Sequence, residues 1–325
     1  MRAGGGAMTM SVPTFVVAGA ARSGTTGVVE GLRSHPQVFV TDPKEPHYFA
    51  LHGKGAHFTG PGDEATINRV AVTRREDYLA LYHDADGHRA LGDAAVSTLY
   101  YHEQALPELL RMNPAMQVVV LLREPVERAW SAHQYMRARG VEPVEDFLEA
   151  VALEPARRDA GWHHIWHYTA MSRYADAVAA LRSALPAEQL GVWFYDDLTR
   201  DYTGTVGSIL RFLGVPHVAG EAVGIPRVNV SGEPRYRTVH TAIRWATGHE
   251  RIRSTVKRAT SYRFREQVRG HILRAGGPPG EAREQLAPLF AADLERLRAL
   301  LPGDAPAWLP QPVVARVASP EPSTR

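Results

Sequence analysis

Apolar residues in this chain fall into short unbroken runs that alternate with stretches of helical spacing. Phe15–Gly19, with Val16 and Val17 ahead of a glycine, reads as a parallel strand buried on both faces. Gly24–Ser34 puts Val28, Val29 and Leu32 at helical spacing, and His35-Pro36 ends it, because proline restricts the residue before it. Val38–Val40 predicts a second strand and Ala90–Asp93 a third. Leu51–Thr66, rich in Gly and His and without periodicity, reads as a loop, and Glu76–His83 as a short helix. Glu103–Arg111 predicts a helix. Gln117–Leu122 is the strongest strand pattern, and Pro125 suits the first turn of a helix running to about Arg139. Ser172–Leu185 is amphipathic, Leu190–Tyr195 reads as another buried strand, and Thr203–Leu213 as a helix closed by Gly214.

Strands alternating with helices predict an α/β fold: a P-loop-like parallel β-sheet flanked by helices, with a C-terminal helical cap. Neither a repeat nor a linker interrupts the pattern, so residues 13–310 are expected to form one domain. Residues 1–12, with Gly4-Gly5-Gly6, and the Pro- and Ser-containing residues 311–325 are expected to be disordered tails.

Composition narrows the options. The 325 residues carry a formal net charge of +2, which asks for no nucleic-acid partner. The chain has no cysteine, which excludes disulfides, Cys-based zinc sites and a thiol nucleophile. No apolar run is long enough to span a bilayer. Residues 13–21 loosely imitate a leader peptide, but the run is short and passes into a Gly/Ser/Thr loop. It is read as a strand, with a cytoplasmic protein as the expectation.

Gly19-Ala20-Ala21-Arg22-Ser23-Gly24-Thr25-Thr26 lies between the first strand and the first helix. Small residues there let backbone N–H groups approach an anion, and the helix N-terminus favours negative charge. The spacing fits G-x-x-x-x-G-K-[ST], except that Thr25 stands where lysine is required, with Arg22 as a substitute cation. The missing lysine counts against an ordinary ATPase or kinase. A ligand-free glycine turn is the plain alternative.

A second constellation runs from Val120 to Ser131. Arg123 falls at the C-terminal end of a strand, the edge where parallel sheets bind ligands, and Ser131 follows eight residues later in a helix. Arg123 can hold an anion through two parallel N–H groups and Ser131 can add a hydroxyl. Alternatively, Arg123 pairs with Glu124 or Glu127.

Together the two segments resemble the PAPS-binding signatures of the sulfotransferase family (PAPS being 3′-phosphoadenosine 5′-phosphosulfate), nearest the branch with the heparan-sulfate enzymes and bacterial relatives. The resemblance extends over most of the chain, through Tyr195-Asp196-Asp197-Leu198, Phe212-Leu213-Gly214 and Asn229-Val230-Ser231. It implies that Arg22, Ser23, Gly24, Thr25 and Thr26 cradle the 5′-phosphosulfate and that Arg123 and Ser131 hold the 3′-phosphate. A loop with Arg227, Asn229, Arg235 and Arg237 is implied to fold over that phosphate. PAPS is then the donor and PAP the product, with no metal required.

Pro43-Lys44-Glu45-Pro46-His47-Tyr48-Phe49 is similar to the family segment with the catalytic glutamate. The resemblance implies Glu45 as general base, with Lys44 and Arg22 as cations for the leaving oxygen and His47 as the alternative base. A surface Lys44–Glu45 pair is the plain alternative. In one departure, Asp93-Ala94 stands where the heparan-sulfate branch often has Glu-Lys, which weakens the case for a glycosaminoglycan acceptor.

Trp162–Tyr168, dense in aromatic and imidazole groups, reads as an acceptor wall or a packed helix face. His163 and His167 at i, i+4 also have metal-pair spacing, but without convincing carboxylate ligands. The basic stretch Arg244–Arg274 is a solvated face or an attractor of an anionic acceptor or membrane. The expected function is sulfuryl transfer to a hydroxyl or amine of a sugar, lipid or natural product. A phosphotransferase or ATPase with a degenerate loop, or a non-catalytic nucleotide- or polyanion-binding protein, is the rival.

Overall fold

The computed structural model describes residues 11–216, 233–234, 273–274, 276–301 and 303–311. Arg227, Asn229, Arg235, Arg237 and most of the basic stretch lie outside these residues, as do nearly all of both expected tails. Five parallel strands form the central sheet: β1 (Phe15–Gly19), β2 (Val38–Val40), β3 (Ala90–Asp93), β4 (Gln117–Leu122) and β5 (Leu190–Phe194). Their order is β2-β3-β1-β4-β5.

Alternation along the strands divides the core in two. Val16, Ala18, Val118, Val120 and Leu122 face the helices His102–Met112, Ala175–Ala184 and Ala291–Leu300. Phe15, Val17, Val119 and Leu121 face the helices Thr25–Arg33 and Tyr202–Phe212. Covered on both faces, the central strands can be apolar throughout.

The chain leaves β1 towards β2 and β3 on one side, and later enters β4 on the other. The crossover direction therefore changes between β1 and β4, and in open α/β sheets ligands bind at such a switch point. The loop after β1 and Arg123 after β4 both emerge there.

Several elements depart from the sequence reading. β5 is not a buried strand: it is the sheet edge and mostly half-buried, with Phe194 turned inward. The helix expected from Ser172 starts at Ala175, after a 3₁₀ turn at Ala170–Ser172. Its first N–H groups are held by Asp293, whose carboxylate accepts from Tyr174 N at 2.9 Å and Ala175 N at 3.2 Å. The cap comes from the C-terminal helix and is invisible to local sequence. Around His163, the expected helix face is a single 3₁₀ turn, His164–Trp166.

Candidate active site

The loop after β1 turns through Gly24, whose backbone is left-handed (φ 87°). A Cβ there would lie 2.7 Å from Leu198 Cδ1, so only glycine fits both the turn and the packing. Gly24 brings no capping side chain to the helix Thr25–Arg33, leaving its first-turn donors without one. Ser23 is fully buried, and its Oγ has no hydrogen-bond partner among the described residues. A buried hydroxyl and uncapped helix donors suit an incoming anion.

Arg22 joins this loop to the second segment. Its Nε donates to Ser131 Oγ at 3.3 Å, and its guanidinium lies 4.4 Å from the Tyr135 ring centroid. Arg123 Nη1 donates to the Arg22 carbonyl at 3.2 Å, and its guanidinium stacks on Tyr195 at 4.3 Å. Nη2 reaches Glu127 Oε2 at 3.4 Å, so the intrahelical pairing is also present, while the buried Nε has no partner among the described residues. Arg22, Arg123 and Ser131 therefore form one cluster. Tyr135, which sequence reasoning missed, and Tyr195, named there only within a family motif, furnish its aromatic floor. Tyr135 was within reach, since it lies one turn beyond Ser131 on the same helix face.

Across the loop, Lys44 Nζ donates to Thr26 Oγ1 at 3.2 Å and to Glu45 Oε1 at 2.8 Å. The lysine absent from position 25 is thus replaced in space by one from the segment after β2. The Lys44 carbonyl accepts from Ala94 N at 2.9 Å, which ties this segment to the end of β3. Burial acts to raise the Glu45 carboxyl, but its side chain is 30% exposed. Lys44 and His47 outweigh burial and hold it below the ordinary carboxylate value. Glu45 is therefore ionised at neutral pH and able to accept a proton.

His47 is buried and bonds Ser97 Oγ through Nδ1 at 2.8 Å. Burial, against the pull of Glu45, brings its imidazole down to about 4. Arg22 (φ 67°) and His47 (φ 58°) are the two non-glycine residues with positive φ among the described residues. Such strain collects at functional sites.

His47 opens a cluster of rings. His164 lies 5.9 Å from it and 6.0 Å from Tyr100, whose hydroxyl meets His167 Nδ1 at 2.9 Å. His163 sits 3.1 Å from Asp63 through Nδ1 and Oδ1. Asp63 is another residue the sequence reading did not single out. Among the described residues no group of three metal-ligating side chains converges, His163 and His167 included. A cavity of about 650 Å³ opens from Ala20 of the loop, walled by Leu99, Tyr100, Tyr101, Met171 and Tyr174. Asp93, which replaces the branch's glutamate, is fully buried, accepts from Tyr78 at 2.6 Å, and is raised by burial to about 6.

The chain is similar to known proteins. The Sulfotransferase family model matches residues 13–219. A sulfotransferase from Alicyclobacillus acidocaldarius superposes with a TM-score of 0.69 at 25% identity, covering 92% of this chain and 99% of its own. Carbohydrate sulfotransferase 15 of Homo sapiens and of Mus musculus are each 27% identical over 175 residues, covering 43% of this chain. The match covers 30% of each of these relatives, so the chain spans under a third of their length. With well over half of its length inside the family's span, the chain belongs to the sulfotransferase family.

Proposed function

We propose that this protein transfers the sulfuryl group of PAPS to a carbohydrate hydroxyl. The observation that carries the reading is the arrangement around the first turn of the helix Thr25–Arg33. Arg22, Arg123 and Ser131 gather on one side, and the Lys44–Glu45 pair reaches Thr26 on the other.

Ser23, Gly24, Thr25 and Thr26 receive the 5′-phosphosulfate. Arg123 and Ser131 hold the 3′-phosphate, and Arg22, through its contact with Ser131, belongs with them. Lys44 neutralises charge on the leaving oxygen. The acceptor oxygen attacks sulfur, its proton passes to Glu45, and the bond from sulfur to the bridging oxygen breaks, releasing PAP. His47, neutral at pH 7, orients the acceptor.

The carbohydrate acceptor is supported by the similarity to the carbohydrate sulfotransferases and by the aromatic and imidazole walls beside the loop. The proposal includes a cytoplasmic placement, supported by the run resembling a leader being β1, the middle strand of the sheet. No helix among the described residues is long and apolar enough to cross a membrane.

The test is ligand stabilisation followed by turnover. PAP should raise the melting temperature more than ATP with Mg²⁺ at equal concentration, because binding to the native state stabilises it. Sulfate-labelled PAPS with a panel of glycosides should then yield a labelled product. Stabilisation by ATP with Mg²⁺ equal to that by PAP would favour the phosphotransferase rival.

A further inference from the structure

Arg128 is wholly enclosed, at 0% exposure. Its Nε donates to Ser172 Oγ at 2.6 Å and its Nη2 to the Tyr168 carbonyl at 2.7 Å. Its Nη1 is buried with no acceptor among the described residues. Both partners are neutral, which is unusual, because a buried charge is ordinarily paired. An arginine does not shed its proton in a protein, so the charge remains.

The surroundings sharpen the point. Burial works against the charged form of Arg128. Tyr174 and Glu154 favour it, and Arg22 and Arg123 oppose it. Glu154 is itself committed to Thr169 N, Thr169 Oγ1 and Ala170 N. Arg128 and Ser131 are one turn apart on the helix Pro125–Ala138, at i, i+3, and Tyr135 continues the same face. Arg22 reaches that face at Ser131 and Tyr135. Arg22 thus meets Arg123 and the helix face at Ser131, and Arg128 lies one turn back on that helix with no carboxylate bonded to it among the described residues.

We infer that Arg128 is an electrostatic positioning residue for the donor's 3′-phosphate: a buried counter-charge, one helical turn from Ser131, that makes the site prefer a nucleotide bearing that second phosphate. The inference rests on the proposed role of Arg123 and Ser131 at the 3′-phosphate. An arriving dianion relieves the mutual repulsion of Arg22, Arg123 and Arg128, and its attraction to Arg128 is weakly screened because that guanidinium is itself fully enclosed. A nucleotide without the 3′-phosphate brings no such relief.

The experiment is calorimetric titration of PAP and of 5′-AMP into wild type, Arg128→Gln and Arg128→Lys. Glutamine keeps hydrogen-bonding groups and removes the charge, whereas lysine keeps the charge. Arg128→Gln should weaken PAP on the order of tenfold, the scale of one unit charge acting at close range in a partly buried site. Its affinity for 5′-AMP should stay near wild type, and Arg128→Lys should recover most of the PAP affinity. Without ligand, Arg128→Gln should melt no lower than Arg128→Lys, since it buries no charge. Equal weakening of both ligands, or unchanged PAP binding in Arg128→Gln, overturns the inference. If neither variant folds, Arg128 is a structural tie between Ser172 and Tyr168, and the inference again falls. A wild-type protein that binds PAP no better than 5′-AMP removes the donor reading itself. A wild-type preference that survives in Arg128→Gln removes only the role of Arg128.

Discussion

In the proposed mechanism Glu45 and Lys44 share the chemistry of transfer, the carboxylate taking the acceptor's proton and the ammonium steadying the leaving oxygen. Glu45→Gln keeps the shape and one acceptor oxygen but cannot be protonated at neutral pH. Transfer should fall by about 10²-fold or more, the usual contribution of a general base. PAP affinity should hold near wild type, because the lost group serves the acceptor. An exposed ion pair contributes only about 0–1 kcal/mol, so a merely structural Lys44–Glu45 pair would leave turnover almost intact. His47→Asn is the control. If it abolishes transfer while Glu45→Gln does not, the base is the imidazole. Arg123 has its own test. Arg123→Ala should weaken PAP at least about tenfold, as loss of charged hydrogen bonds implies. Adenosine 5′-phosphosulfate, lacking the 3′-phosphate, should change little, and equal weakening of both would move Arg123 to the 5′ side or to the fold. Arg22, Arg123 and Ser131 could be singled out from two short motifs, and Lys44 and Glu45 from the family resemblance; the fold brings the first three into contact and sets Lys44 against Thr26 and Glu45. Asp63 could not be singled out: it meets His163 100 residues further on, by a contact that only folding creates.

At the scale of elements, β3 and β4 match the apolar runs end to end, because strands buried on both faces need no alternation to be seen. Helix starts drifted where tertiary contacts decide them, as Asp293 does at Tyr174. The segment from Gly140 to Tyr168 was the least legible, since its order comes from one buried cluster rather than from periodicity. Glu142 accepts from Arg157 Nη1 and Nη2, both at 2.8 Å, and from the Tyr168 hydroxyl at 2.6 Å. All three residues are buried. Glu142→Gln would leave the Arg157 charge enclosed without its carboxylate. Removing one partner of a buried pair costs about 3–5 kcal/mol, so the urea midpoint should fall sharply. The double variant Glu142→Gln with Arg157→Met should recover much of that loss, because no charge remains enclosed. A double variant as unstable as the single one would mean that Tyr168 and packing, rather than the ion pair, hold this segment.

For the molecule as a whole, the imidazoles around the site set how stability answers acid. His47 and His167 fall to about 4 through burial, and His164 lies well below its ordinary value of 6.5 for the same reason. The unfolded chain binds protons at these positions below about 6.5, and the folded chain does not. Their contribution is therefore complete above that pH and is lost as pH falls towards 4. Linkage gives a loss of about 2 kcal/mol at pH 5 for each of His47 and His167. Asp93 acts in the opposite sense. Its carboxyl titrates at about 6 in the fold against 3.8 unfolded, so acidification from pH 7 to pH 5 returns about 1 kcal/mol. The lowered carboxyls of Glu45, Asp63 and Glu108 take up protons only below the ordinary carboxylate range and stay outside this window. Burial also lowers the His133 imidazole and raises the Asp293 carboxyl, so among the described residues four imidazoles stand against two carboxyls and leave a net loss. The urea midpoint should fall steadily between pH 7 and pH 5, and His167→Gln, which removes one titrating ring, should flatten that slope. A midpoint that holds level across this range would mean that water reaches these imidazoles and that the wall beside Glu45 is open rather than closed.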